Sequence, residues 1–207
     1  MSISKEGKTI DLKELNRGEY SHAEKLHEFI KQVADEVGIE LSDLEAVAVS
    51  KGPGSYTGLR IGVSAAKGLC FALDIPLISV NTLQVLALSI SISEGVIIPL
   101  LDARRMEVYS SVFNSKNESL REVKAEIISE DSFKEYLNSQ KVYFVGDGIE
   151  KCKGIITHEN AMFIDDKLPS ANEMASLSFE KLKKNDIEDV AYFEPFYLKD
   201  FVAIKPK

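Results

Sequence analysis

Cysteine, basic charge and long apolar runs are all scarce in this chain of 207 residues. The two cysteines, Cys70 and Cys152, lie far apart without C-x-x-C spacing, so no disulfide framework is indicated and a reduced, cytoplasmic setting is expected. Cys70 falls in an apolar helical stretch, where a buried thiol is expected. No apolar run reaches the length that spans a bilayer, and Met1 to Lys8 contains no apolar core of a secretory signal. Lys and Arg number 25 against 33 Asp and Glu, a formal charge of −8. A surface that grips a polyanion by itself is strongly basic, so this chain is not read as a main nucleic-acid-binding surface. Lys199, Lys205 and Lys207 form a short basic tail, read as solvated. Histidine is also rare. His22 and His27 are five residues apart, which turns their rings away from a common metal, and His158 lies in a polar stretch with no catalytic signal.

The chain does contain enough apolar sequence, 44% of its residues, to bury a core in one domain or two small ones. Ser2-Ile3-Ser4 and Thr9-Ile10-Asp11-Leu12 flank Glu6-Gly7-Lys8, which predicts a hairpin. Ser21-His22-Ala23-Glu24 is a capping box opening a helix whose apolar face is Ala23, Leu26, Ile30, Val33, Ala34 and Val37. Strands are expected at Ala46–Val49, Leu77–Val80, Val96–Leu101, Met106–Phe113, Leu120–Ile128 and Val142–Val145. Helices are expected at Leu59–Leu73, Asn81–Ser91, Asp131–Leu137 and Ala171–Leu182. Strands followed by helices, twice over, predict two α/β halves that meet near residue 95: an N-terminal lobe over 1–95 and a C-terminal lobe with its tail over 96–207.

The stretch from Ser50 to Gly62 is the most informative. A β-branched run leads into Gly52-Pro53-Gly54-Ser55-Tyr56-Thr57-Gly58, and a helix follows at once. That order places free backbone N–H groups beside the positive end of a helix dipole, which suits a phosphate or another anion. Most glycine loops of this kind only turn the chain, and neither G-x-x-x-x-G-K-[ST] nor G-x-G-x-x-G is present. Gly58, Gly62 and Ala66 recur every four residues and leave one helix face nearly bare; it serves either another helix or this protein's own sheet. Asp102 and Arg104 lie in a strand-to-strand turn, where an aspartate capped by its own backbone is the structural alternative to a metal-phosphate contact. Ser55 has no evident Ser-His-Asp partnership.

The string Gly52-Pro53-Gly54-Ser55-Tyr56-Thr57-Gly58-Leu59-Arg60-Ile61-Gly62 resembles the signature of the bacterial TsaB (YeaZ) family. The likeness continues through Ala65-Ala66-Lys67-Gly68-Leu69, Val80-Asn81-Thr82-Leu83, Leu101-Asp102-Ala103-Arg104 with Glu107-Val108-Tyr109, Val145-Gly146-Asp147-Gly148, Leu168-Pro169-Ser170-Ala171 and Glu194-Pro195-Phe196-Tyr197-Leu198. The resemblance implies a duplicated actin-like (RNase H-like) fold. It also implies a role as a non-catalytic subunit in making threonylcarbamoyladenosine on tRNA. The implied partners are the catalytic subunit TsaD and the ATPase TsaE, with a homodimer when TsaD is absent and only indirect contact with tRNA. No cofactor is expected to be required by this chain itself, with ATP or ADP at the subunit interface. The partner surface implied for the first two helices is His22, Leu26, His27, Ile30, Gly58, Gly62, Ala66 and Leu69. Gly52, Pro53, Gly54, Ser55, Tyr56, Thr57, Gly58, Arg60, Asp102 and Arg104 are the candidates for phosphate or nucleotide contact. The alternative activity is an actin-like ATPase or kinase that uses Gly52–Gly58.

Two departures from the pattern bear on activity. TsaD carries a metal-binding His-x-x-x-His after a Val-Asn pair; here Thr82 and Leu86 occupy those positions and cannot make that site. Relatives begin with an apolar strand ending in Asp-Thr or Glu-Thr ahead of the Ser2–Ser4 segment. The sequence in hand starts past it, so the first central strand is expected to be missing and a longer native N-terminus is expected, which intact-mass measurement of the endogenous protein would reveal.

Overall fold

The structure is a computed structural model and describes residues 1–15 and 22–199. The capping box at Ser21, the side chains of residues 22–24, and Lys205 and Lys207 lie outside the described residues.

Two strands, β1 (Ser2–Lys5) and β2 (Lys8–Leu12), pair antiparallel. Their turn carries positive φ at both Glu6 (51°) and Gly7 (77°), the geometry that matches the twist of a tight hairpin. Helix α1 (His22–Val37) follows, then β3 (Val47–Gly52), α2 (Tyr56–Leu73) and β4 (Leu77–Asn81). β3 and β4 are parallel, as their crossover helix requires. Ser55 caps α2, its side chain accepting the Gly58 N–H, so the helix begins three residues before the expected Leu59. Helix α3 (Thr82–Ala87) is shorter than the expected Asn81–Ser91. Asn81 is its cap, with Oδ1 accepting from Leu83 N–H (2.8 Å) and Gln84 N–H (3.2 Å), and Ser89 Oγ closes the other end on Leu86 O (2.7 Å).

The second half is a five-stranded sheet in the order β7-β6-β5-β8-β9. Its strands are β5 (Val96–Asp102), β6 (Glu107–Asn114), β7 (Ser119–Ile127), β8 (Val142–Val145) and β9 (Ala161–Ile164), with short α4 (Lys134–Leu137) and longer α5 (Ala171–Lys183). β9 has too short and weak an alternation to be read from sequence. β5 is antiparallel to β6 and parallel to β8, and its residues Val96–Leu101 are buried on both faces. One face packs Ile98, Leu100, Val108 and Phe144, with Phe144 stacked 5.1 Å from Phe163. The other packs Ile97, Leu101 and Val145 under Leu83 and Leu86 of α3. The two histidine-equivalent positions, Thr82 and Leu86, are thus core positions.

The first half repeats this plan in pieces. β1 and β2 form an antiparallel pair like β6 and β7, and β3 and β4 form a parallel pair like β8 and β9. Among the described residues no strand joins them. β3 is consequently half-exposed along Val47–Lys51, whereas Val142, Phe144 and Val145 of β8 are fully buried. This duplicated arrangement is the actin-like, RNase H-like architecture. Helix α3 packs on strands of both halves.

Candidate functional site

The glycine loop leaves β3 at Gly52, whose φ is +111°, a conformation that favours glycine. The loop is covered by the chain's own tail. A Cβ on Gly52 would lie 2.8 Å from the Phe196 carbonyl oxygen, and the Phe196 N–H donates to Lys51 O at 2.7 Å. The Tyr197 ring lies 4.9 Å from that of Tyr56, and the Arg60 guanidinium sits 4.6 Å over Tyr56 and is hydrogen-bonded to Tyr197. Upstream, Lys67 Nζ donates to the carbonyls of Ala191 (3.1 Å) and Phe193 (2.9 Å). Glu188 N–H donates to Leu77 O at 2.8 Å, and Ser79 Oγ donates to the Glu188 carboxylate. Residues 188–199 therefore form a strap running along α2 and over the loop. Between strap and helix lies a cavity of about 260 Å³, lined in part by Arg60, Ser64, Lys67, Glu194 and Tyr197.

This geometry changes what the glycines do. Gly52 and Pro53 are buried, and the atom facing Gly52 is a carbonyl oxygen, which repels an anion. The backbone room that a phosphate would need at Gly52 is taken by Phe196. Ser55 caps its own helix, Gly54 and Gly58 are half-exposed, Thr57 is exposed, and the exposed Arg60 is engaged by the side chains of Tyr56 and Tyr197. The strap was not expected from local sequence. Its signal, Glu194-Pro195-Phe196-Tyr197 after the last helix, marks an ordered aromatic tail but not its destination.

The Asp102–Arg105 turn joins β5 and β6. Asp102 Oδ1 accepts the Arg104 N–H (2.5 Å) and pairs with Lys151 Nζ (2.5 Å), while the Asp102 N–H donates to Asp147 Oδ1 (2.9 Å). Burial pushes the Asp102 carboxyl up, but Lys151 and the Arg104 N–H together outweigh it and hold it below the usual range. Asp147, just after β8, is pushed up, chiefly by burial. Arg104 and Arg105 both have positive φ (69° and 52°), so the turn is held open by these bonds and not by glycine. Lys199 pairs with Glu107 and reaches Ala103 O at 3.5 Å. Only Tyr197 and Leu198 separate that contact from Phe196 over Gly52. At most about 11 Å of chain thus links the turn to the glycine loop. Among the described residues no group of three His, Cys, Asp or Glu is placed to hold a metal, and no helix is long and apolar enough to cross a membrane.

The first two helices touch each other. On α1, Leu26 and Ile30 are half-exposed and His27 is exposed; the His22 side chain lies outside the described residues. On α2 the expected bare face rotates inward. Positions spaced by four drift about 40° per step on a 3.6-residue helix. Gly58 remains half-exposed, Gly62 faces Val49 at 3.9 Å from its would-be Cβ, and Ala66 is 6% exposed in the core with Cys70 and Leu77. Ala66 is therefore a core residue and not part of an open face, and Leu69 is half-exposed. The open side of α2 is instead Thr57, Ser64, Gly68 and Phe71. Gly68 has nothing within 4 Å of its would-be Cβ, and Phe71 is 85% exposed.

Residues 18–207 match the family described as TsaD, tRNA N6-adenosine threonylcarbamoyltransferase. The tRNA threonylcarbamoyladenosine biosynthesis protein TsaB of Haemophilus influenzae is 31% identical over 198 residues, covering 89% of this chain and 83% of that protein. The protein of the same description from Bacillus subtilis is 48% identical over a shorter stretch of 81 residues, which is 39% of this chain and 35% of that one. YeaZ from Pseudomonas aeruginosa has the same fold, with a TM-score of 0.75 at 24% identity over 89% of this chain and 92% of that one. The chain belongs to the TsaB (YeaZ) branch of the TsaD family, whose named members are tRNA threonylcarbamoyladenosine biosynthesis proteins.

Proposed function

We propose that the protein is a non-catalytic subunit for threonylcarbamoyladenosine formation on tRNA, acting by docking a TsaD-type catalytic subunit on its first two helices. The observation that carries this reading is the open side of α2. An 18-residue helix leaves Ser64, Gly68 and Phe71 facing outward, beside the half-exposed Leu26 and Ile30 of α1. Small residues admit a partner helix at close range, and an exposed aromatic supplies the buried anchor such interfaces depend on. The chain's acidity suits a subunit that meets tRNA indirectly and leaves phosphate contact to its partners. The TsaE ATPase joins the same assembly in this reading, a homodimer forms in the absence of TsaD, and any ATP or ADP sits at a subunit junction, since the strap occupies the loop at Gly52.

The test is to mix the purified chain with its TsaD counterpart and follow complex formation by size-exclusion chromatography and tRNA modification by nucleoside analysis. A stable complex that supports modification is expected, and Gly68→Leu should weaken it at least tenfold. Absence of a complex overturns the docking role, and ATP turnover by the pure chain overturns the non-catalytic role.

A further inference from the structure

The cavity between the strap and α2 differs in charge from the rest of the chain. Arg60, Ser64, Lys67, Glu194 and Tyr197 converge on about 260 Å³ of space. That is less than the roughly 300–1,000 Å³ of small-ligand pockets, and it suits a single side chain. The chain as a whole carries −8, yet α2 contains Arg60 and Lys67 and no Asp or Glu. On the strap, Asp189 is spent on the N–H groups of Ala191 and Tyr192, and Glu188 on Ser79. Glu194 is the one carboxylate at the cavity; it is exposed, and the two cations outnumber it.

Both cations are fixed in place with donors to spare. The Arg60 guanidinium lies 4.6 Å over Tyr56 and is hydrogen-bonded to Tyr197, so its position is set before a partner arrives. Lys67 Nζ donates to the carbonyls of Ala191 and Phe193, which leaves one of its three N–H donors unspent. Among the described residues neither cation has an ion-pair partner. Two large aromatics flank the site. Tyr192 sits between the two carbonyls that Lys67 holds, Phe71 lies one turn beyond Lys67, and each is 85% exposed. Aromatic anchors around a preformed polar pocket are the make-up of an interface hot spot.

We propose that this cavity receives an Asp or Glu side chain of the docked catalytic subunit, its carboxylate accepting N–H groups from Arg60 and Lys67. The inference rests on the reading of α2 as the docking face for a TsaD-type subunit. The planar guanidinium offers two parallel donors that match a carboxylate, and the ammonium adds a third. A tRNA phosphate fits less well, because a chain of −8 repels a polyanion and Glu194 stands at the cavity.

The test measures the Kd of the full chain for its TsaD counterpart by isothermal titration calorimetry. Arg60→Gln should weaken the complex about tenfold or more, and because Arg60 is exposed the variant keeps the fold. Lys116→Gln removes an equal charge from the exposed turn between β6 and β7 and should change Kd less than about twofold. Each exposed Asp and Glu of the TsaD counterpart is then changed to its amide, one at a time. One of them should cost about tenfold against the wild-type chain and little against Arg60→Gln, the non-additivity of a direct pair. An equally tight complex with Arg60→Gln, or no partner acid coupled to Arg60, overturns this inference and leaves the docking role standing. A loss that appears only when tRNA is added assigns the cavity to phosphate and overturns it too. Absence of any complex with the wild-type chain overturns the docking role and this inference together.

Discussion

The two halves of the molecule share a plan and differ in how deeply the described residues bury their strands. In the second half β5 is sandwiched by strands on both edges and by side chains on both faces, so Val96–Leu101 is buried throughout. In the first half no strand joins the corresponding pairs among the described residues, β3 is half-exposed, and the strap of residues 188–199 is laid over the glycine loop. The difference teaches that a strand protected on both edges and both faces is where burial concentrates. The second half buries the larger core, and the first half presents surface: the strap and the outward side of α2. Since burial of apolar area is the main favourable term in folding, the free energy of this chain should be concentrated in residues 96–164.

The largest contrast should come from the cores. Phe144→Ala empties a fully buried site between Phe133 and Phe163 and should cost about 3–5 kcal/mol in urea unfolding. Val49→Ala, on the half-exposed β3, should cost about 1 kcal/mol. Similar losses would break the distinction between the halves.

The paired glycines sharpen it. Gly146→Ala forces a Cβ to within 2.3 Å of a β5 carbonyl held in a five-stranded sheet and should cost about 3 kcal/mol or more. Gly52→Ala meets a strap that can retreat, so about 1–2 kcal/mol is expected, together with faster proteolysis after residue 188. Equal costs and an intact strap would show that the strap is as rigid as β5. Lys67→Met removes two strap hydrogen bonds and should cost below about 1 kcal/mol while also speeding that cleavage.

The smallest effect is electrostatic and belongs to the junction. Asp102 has its carboxyl lowered on folding, so the stability it contributes is present above its unfolded value of 3.8 and lost as pH falls through the lower folded value. Asp147 is raised, so its contribution is present below 3.8 and lost as pH rises through its higher folded value. At pH 7, Asp102→Asn should destabilise by about 0.5 kcal/mol, since the pair is partly exposed, and Asp147→Asn should be neutral or stabilising. In acid, once both aspartates are protonated, the two variants should converge.

Local signals carried much of this fold. The Glu6-Gly7 turn, the β-branched run into Gly52 and the short apolar run Val142–Val145 each state their own conformation, and each element formed where those residues stand. What sequence could not state is contact at long range. The destination of Phe196 is 144 residues away from Gly52 along the chain, and no periodicity encodes it. The glycine face of α2 failed for a geometric reason: a spacing of four drifts around the helix, which carries Ala66 into the core and leaves Gly68 outside. The loop was legible as a family signature and illegible as a site, because the group that fills it comes from the far end of the chain.

The division of labour between the halves is tested most directly by hydrogen exchange with and without the TsaD counterpart. Slowed exchange confined to α1 and α2, with the β5–β9 sheet unchanged, is the expected result. Complex formation that protects the second half and leaves α2 unprotected would contradict it.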